Sequence, residues 1–312
     1  MRYRLPLLLI PLLACLSCTR EEARQQDITI VATTGVPSKA SLYAAGPLSP
    51  DVSLGLLSFK YTSSNADPSQ WRRHYVYRAE YDAASGKWMA ASGSQLLWPG
   101  DGFFIRFYAY APYDAAGLTV SSPNGALPTF RYTVPAPQRQ CDLLLSDTGS
   151  SREYPGDPGW RRTDVTLNMV HALTAIRFRV IEGLYITRIR VMGIRNSGVV
   201  DYSTQELWGS LSGNASYTIT DLSPGNGLHP DTEKPGYHVI DDDKVLLLMP
   251  QILPEGAKIE ALVTYMGMTR TIEVSIAGFY WGPGQMITYT ITSNPLPNFT
   301  EGYSVDYPDI WK

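Results

Sequence analysis

The stretch VTLNMVHALTAIRFRV, residues 165–180, decides the fold. Its first half alternates: Val165, Leu167 and Met169 fall on one face, Thr166 and Asn168 on the other. Its second half repeats the scheme, with Thr174, Ile176, Phe178 and Val180 on one side and Arg177 and Arg179 on the other. A period of two belongs to a strand with one buried face; a helix brings apolar residues round about every 3.6 positions. This reading predicts two strands and places both arginines in water.

The same period recurs outward in both directions. Tyr185, Thr187, Ile189 and Val191 are expected to face in, with Arg188 and Arg190 exposed. Val245 to Met249 reads as a short buried run. Ile259, Ala261, Val263 and Tyr265 lead to a hairpin tip at Met266-Gly267, and Ile272, Val274 and Ile276 return from it. Ile287, Tyr289 and Ile291 form a last core strand. Towards the N-terminus, DITIVATT (Asp27–Thr34) puts Ile28, Ile30 and Ala32 on one face. Tyr75, Tyr77, Ala79 and Tyr81 alternate with Val76, Arg78 and Glu80; Phe130, Tyr132 and Val134 alternate too. FFIRFYAYA (Phe103–Ala111) is apolar on both faces, as a central strand should be. No helical periodicity of useful length interrupts the pattern. The 26 glycines, 23 prolines and 20 tyrosines suit strands joined by tight turns. The fold class is all-β.

The segment TGSSREYPGDPGWRR, residues 148–162, reads as a linker. It divides the chain into β-sandwich domains at 27–160 and 161–294, each of ordinary domain size, followed by a tail at 295–312.

The first residues read as an export signal. Arg2 and Arg4 precede an apolar run from Leu5 to Ala14, too short for a bilayer, which takes about 20 residues. Small residues precede both Cys15 and Cys18, as in a lipoprotein signal. Cys18 is preferred because Thr19-Arg20-Glu21-Glu22 turns abruptly charged, like a tether; Leu12-Leu13-Ala14 keeps Cys15 as the alternative. On the first reading residues 1–17 are signal and 18–26 the lipidated cysteine and tether. A triacylated cysteine satisfies the two-signal need for stable membrane anchoring. Cys141 is then the one thiol of the folded part, so burial has to stabilise it without a disulfide.

Net charge is −3 with no basic patch, which argues against nucleic acid. His74, His171, His229 and His238 lack the spacing of a zinc site. His171 reads as a structural histidine beside the sheet. Asp241-Asp242-Asp243 could offer oxygen ligands to calcium but reads first as a solvated turn. Cys141, beside Leu143–Leu145, reads as a buried inert thiol. The seven tryptophans sit mostly near turns and strand starts and read as packing, while Trp311 belongs to the tail. No phosphate loop or nucleophile elbow is present, so no enzyme activity, cofactor or metal is expected.

Four stretches in order resemble the fimbrillin-like family of fimbrial subunits and associated lipoproteins of Gram-negative gut and oral anaerobes. They are the lipoprotein start, Trp98-Pro99-Gly100-Asp101 with Phe107-Tyr108-Ala109-Tyr110-Ala111-Pro112, Leu167 to Leu173 leading to Ile176-Arg177-Phe178, and Leu247-Leu248-Met249-Pro250-Gln251 with Trp281-Gly282-Pro283-Gly284 before Tyr289-Thr290. The resemblance implies two tandem transthyretin-like β-sandwich domains, transport to the outer membrane, and joining of fimbrial subunits by strand addition. Under it, Ile28, Ile30 and Ala32 belong to a strand that fills a groove until proteolysis removes it. The tail becomes a candidate donor strand through Phe299, Tyr303, Val305 and Tyr307. Polymerising members of the family are cut after an arginine that follows the first strand. Here residues 25–70 contain no arginine, and Lys39 and Lys60 are their basic residues. A tip or accessory subunit therefore fits better than a stalk. The alternative is a surface lipoprotein that binds glycan or host protein without polymerising.

Overall fold

In the computed structural model the described residues are 29–34, 46–62, 67–91, 97–100, 102–146, 154–155, 164–200, 202, 207–293 and 297–299. Among them no α-helix occurs; three single 3-10 turns accompany the strands.

The largest sheet holds β1 (Thr29–Thr34), β2 (Gly46–Pro47), β3 (Leu54–Thr62), β4 (Arg72–Asp82), β5 (Lys87–Ala90), β6 (Phe103–Ala111), β9 (Leu144–Ser146), β10 (Tyr154–Pro155) and β11 (Asp164–His171). Its order β6-β3-β4-β5-β1-β11-β9 closes on itself, because β9 also pairs with β6 through Leu145 opposite Tyr110 and Leu144 opposite Ala111. β6 and β3 carry apolar residues on both faces for that reason. Leu54, Leu56, Ile105 and Phe107 join one buried cluster; Leu57, Phe59, Tyr61 and Tyr108 join the other.

A second sheet, β15-β14-β8-β7, is made of β7 (Leu118–Ser121), β8 (Thr129–Thr133), β14 (Ser197–Val200) and β15 (Trp208–Ser212). Three strand pairings therefore cross residue 160 among the described residues: β11 with β1 and with β9, and β14 with β8.

Two further sheets face each other across a shared core. One is β17 (Ser223–Pro224), β18 (Gly227–Pro230), β19 (Tyr237–Ile240), β12 (Thr174–Ile181), β25 (Met286–Ser293) and β26 (Pro297–Phe299), in that spatial order, with β20 (Leu246–Leu248) also on β12. The other is β16 (Ala215–Thr220), β13 (Tyr185–Ile194), β22 (Lys258–Tyr265) and β23 (Met268–Ser275). Phe178 and Ile287 from the first meet Ile189 and Ala261 from the second in one cluster, as in a β-sandwich. β21 (Gln251–Ile252) and β24 (Tyr280–Trp281) make a small separate pair. The β22–β23 tip falls at Met266-Gly267 as expected; both residues have positive φ, 50° and 76°, as a two-residue hairpin turn of type I′ requires.

Two expectations are corrected. Arg177 and Arg179 are buried, 8% and 5% exposed, rather than in water. β25 pairs with β12 in parallel and sets Thr288 beside Arg177 and Thr290 beside Arg179. Arg177 Nε donates to Thr288 Oγ1 at 3.0 Å, and Arg179 donates to Asp231. Glu233 reaches both guanidinium groups. Alternation separates the two faces of a strand; it does not say whether the second face is covered. In β13, Tyr185 and Thr187 are exposed and Ile186 is buried. A bulge between Ile186 and Arg188 in the pairing with β22 inserts an extra residue and reverses the faces before it.

Asp231 also accepts the backbone N–H groups of Glu233 and Lys234, at 2.8 and 3.2 Å. Burial pushes its carboxyl up, but Arg179 and these N–H groups outweigh that and hold it below the ordinary carboxylate value. A depressed folded value stabilises the fold above the unfolded value of about 4, and that stability is lost as pH falls through the folded one. Asp231→Ala should cost about 3–5 kcal/mol at neutral pH by stranding Arg179. Urea midpoints measured from neutral to acid pH should show the gap between wild type and variant shrinking below about pH 4.

Candidate functional site

The strand that closes the large ring is also the first described strand of the chain. β1 runs parallel to β11 over six consecutive pairs, Thr29 opposite Asp164 through Thr34 opposite Met169. Ile30 lies opposite Val165 and Ala32 opposite Leu167. On its other side β1 meets β5 by one bridge, Ile30 to Trp88, and β2 by two pairs at Thr33 and Thr34. The seam is thus well fastened along β11 and lightly along β5. Ile28 lies outside the described residues.

The floor beside β1 is apolar. Val165, Leu167 and Met169 are fully buried, Trp88 nearly so, and they pack in one cluster with Leu54, Phe107 and Leu144. A strand in this slot satisfies the main chain of β11 by hydrogen bonds beside the apolar strip. Without it, β11 would present an unpaired edge over that strip, the condition under which another strand adds.

The tail starts on a different sheet. β26 pairs antiparallel with β25, Phe299 opposite Ile291 and Pro297 opposite Ser293. Phe299 is thus on an edge strand of its own chain. Tyr303, Val305 and Tyr307 lie outside the described residues, as do Cys15, Cys18, Trp160 and Trp311.

The remaining predicted residues are not brought together. His74 is on β4, where burial lowers its pKa and its ring meets the Leu97 carbonyl at 3.1 Å. His171 ends β11 and pairs with Asp142 at 2.6 Å, both largely buried. His229 pairs with Asp241 at 2.8 Å, largely in solvent. Asp242 and Asp243 begin a 3-10 turn. Among the described residues no group of three His, Cys, Asp or Glu is placed to hold a metal. Cys141 is half-buried against the core rather than fully enclosed. Trp71, Trp88, Trp98, Trp208 and Trp281 are buried, and Trp281 donates its ring N–H to the Tyr289 hydroxyl at 3.1 Å. Sequence reading missed the Arg177–Arg179–Asp231–Glu233 network. Its available signal was an arginine pair two residues apart and an acidic pair of the same spacing in Asp231-Thr232-Glu233.

The family model described as fimbrillin-like matches residues 52–306. The chain belongs to the fimbrillin-like family. Two solved structures share the fold. One is a candidate cell adhesion protein of Bacteroides ovatus, 15% identical, with a TM-score of 0.54 over 88% of this chain and 95% of that one. The other is a candidate cell adhesion protein of Bacteroides uniformis, also 15% identical, with a TM-score of 0.51 over 88% of this chain and 97% of that one. A search of curated proteins gives no match.

If the apolar strip holds β1, truncating the strip should loosen that strand. Leu167→Ala should cost about 2–5 kcal/mol. Amide exchange in Thr29–Thr34 should accelerate more than in β13; equal acceleration in both would mean the strip is ordinary core.

Proposed function

We propose that the chain is a fimbrial subunit of the cell surface, of the tip or accessory kind, joined to its neighbours by strand exchange after export as a lipoprotein. The observation that carries this reading is the slot of β1: an N-terminal strand, parallel to β11, over an apolar floor, with one bridge to β5 and two pairs to β2 on its far side. Its departure unthreads nothing, because it begins the described fold. Main-chain pairing with any extended donor then supplies affinity, and the alternating pockets supply register. Ile30 and Ala32 act as the resident strand. In this reading Cys18, or alternatively Cys15, carries the lipid that fixes the subunit to the outer membrane. The tail, through Phe299, Tyr303, Val305 and Tyr307, is the strand on offer to the next subunit. The tandem division into domains at 27–160 and 161–294 belongs to the same proposal. Catalysis has no part in it.

A second reading is favoured by a specific feature: β1 sits in its slot, and residues 25–70 hold no arginine for a cut after it. A permanently filled slot suits a free-standing lipoprotein that binds glycan or host protein.

One experiment separates the two. The N-terminal sequence and intact mass are determined for protein from its own cells, alongside a sheared-fibre fraction. A chain starting beyond about residue 35 in fibres is the expected result for a subunit that has released its first strand. A chain starting at a lipidated cysteine, confined to membranes, would exclude exchange at this slot.

A further inference from the structure

Lys60, Arg72, Arg73 and Arg106 are scattered in the sequence and meet at one end of the large sheet. β3 pairs with β4 on one side and with β6 on the other; its register sets Lys60 opposite Arg72, and Phe59 between Arg73 and Arg106. Directly opposed residues of an antiparallel ladder share a face, with Cβ atoms about 5 Å apart. Lys60 and Arg72 are therefore neighbours on one face. Arg73 and Arg106 flank Phe59 on the other, two strand spacings or about 10 Å apart. No run of the sequence is basic and the net charge is −3. The ladder assembles a cationic rim that the linear sequence does not display.

We propose that this rim binds an anionic glycan, a sugar chain carrying carboxylate or sulfate groups. The proposal names a ligand class for the surface-binding reading and rests on that reading only for the chain's place on the cell surface.

Three observations carry it. First, the cations are unmatched. Among the described residues no carboxylate comes within ion-pair distance of any of the four, whereas Arg78, Arg179 and Arg188 each meet one. Asp67, the described acidic residue nearest to Arg72 in the sequence, accepts the Ser69 N–H instead. Like charges directly opposite each other weaken a ladder. The Lys60–Arg72 pair thus carries a repulsion that an anion between them relieves.

Second, the cations are held in place. The Arg106 guanidinium carbon lies 5.1 Å from the centre of the Trp71 ring, and its enclosed Nε has no hydrogen-bond partner among the described residues. Lys60 Nζ lies 5.5 Å from the centre of the Phe103 ring. Arg72 donates to the Trp71 carbonyl at 3.2 Å, and Arg73 to the Ser122 carbonyl at 3.5 Å. Groups already positioned lose less freedom on binding. Lys60 and Arg106 are also half-buried, which strengthens their attraction for an anion.

Third, the surface suits a sugar better than a protein. The rings between the cations, Phe59, Tyr61 and Trp71, are buried, so they offer no pocket-filling anchor of the kind protein partners use. What the rim exposes beside its charges is hydrogen-bonding side chains, Ser69, Gln70 and Asn124.

Titration calorimetry on the full chain tests this with heparin fragments as the sulfated probe and polygalacturonate fragments as the carboxylated one. At least one should bind, and binding should weaken as salt rises. Arg72→Gln should weaken it about threefold or more, and Lys60→Gln with Arg72→Gln about tenfold or more, whereas Lys258→Gln, on the C-terminal sheet, should not. The thermal midpoint of Arg72→Gln should stay unchanged or rise, because a repulsion is removed. Binding of neither probe, or equal binding by wild type and the double variant, overturns the proposal. So does equal binding of neutral dextran, of polyglutamate, or of phosphatidylglycerol vesicles; these outcomes would assign the rim to no charge recognition, to an acidic peptide or to a lipid surface. The measurement needs neither fibres nor cells. Its failure would leave exchange at the β1 slot untouched, and failure of the functional reading would leave the measured affinity standing.

Discussion

The first described strand and the late strand β25 both return to the middle of the chain, and the rest of the structure depends on those two returns. β11 and β12 are consecutive strands, residues 164–181, and each takes a parallel partner from far away. β1 comes back to β11 from the N-terminal side, and β25 comes back to β12 from the C-terminal side. Parallel neighbours require a long crossover, so each pairing closes a long stretch of intervening chain at an entropic cost. The first return closes the large ring. The second lays the threonines of β25 against the arginines of β12 and turns a would-be solvent face into an interior one.

That second return explains the buried charges. Once Thr288 and Thr290 lie beside Arg177 and Arg179, the guanidinium groups are out of water and have to be matched. The turn after β18 supplies Asp231 and Glu233 for this purpose. Such a network is poor evidence of extra stability, since an apolar replacement can do as well. A one-residue slip of β25 would take the Thr288 hydroxyl away from Arg177, whereas Arg179 keeps its partners on the turn after β18.

Strand positions were legible in the sequence because local alternation encodes them; partners were not. FFIRFYAYA gave itself away as central by being apolar on both sides, and Met266-Gly267 announced a hairpin by its turn chemistry. The fate of Arg177 and the bulge at Ile186 were hidden, since one depends on a strand more than a hundred residues away and the other on a single extra residue. The slot of β1 was half legible. Ile30 and Ala32 marked a strand with one apolar face, but nothing local named β11 as its neighbour or Trp88 as its far contact.

The two ends are not equivalent as exchangeable parts. An end strand can leave without threading, whereas an interior strand would have to drag its loops with it. β1 holds six pairs on one side and, on the other, one bridge to β5 and two pairs to β2, beside an apolar floor. Its loss would leave the edge of β11 unpaired beside that floor. β26 lies outermost on β25, with β23 alongside it, and the described part of its ladder is three pairs long. Fewer described pairs hold β26 than hold β1. What separates β1 from an ordinary edge strand is therefore the apolar floor beside it as much as the length of its ladder, because an unpaired edge over apolar surface is costlier than an unpaired edge in water.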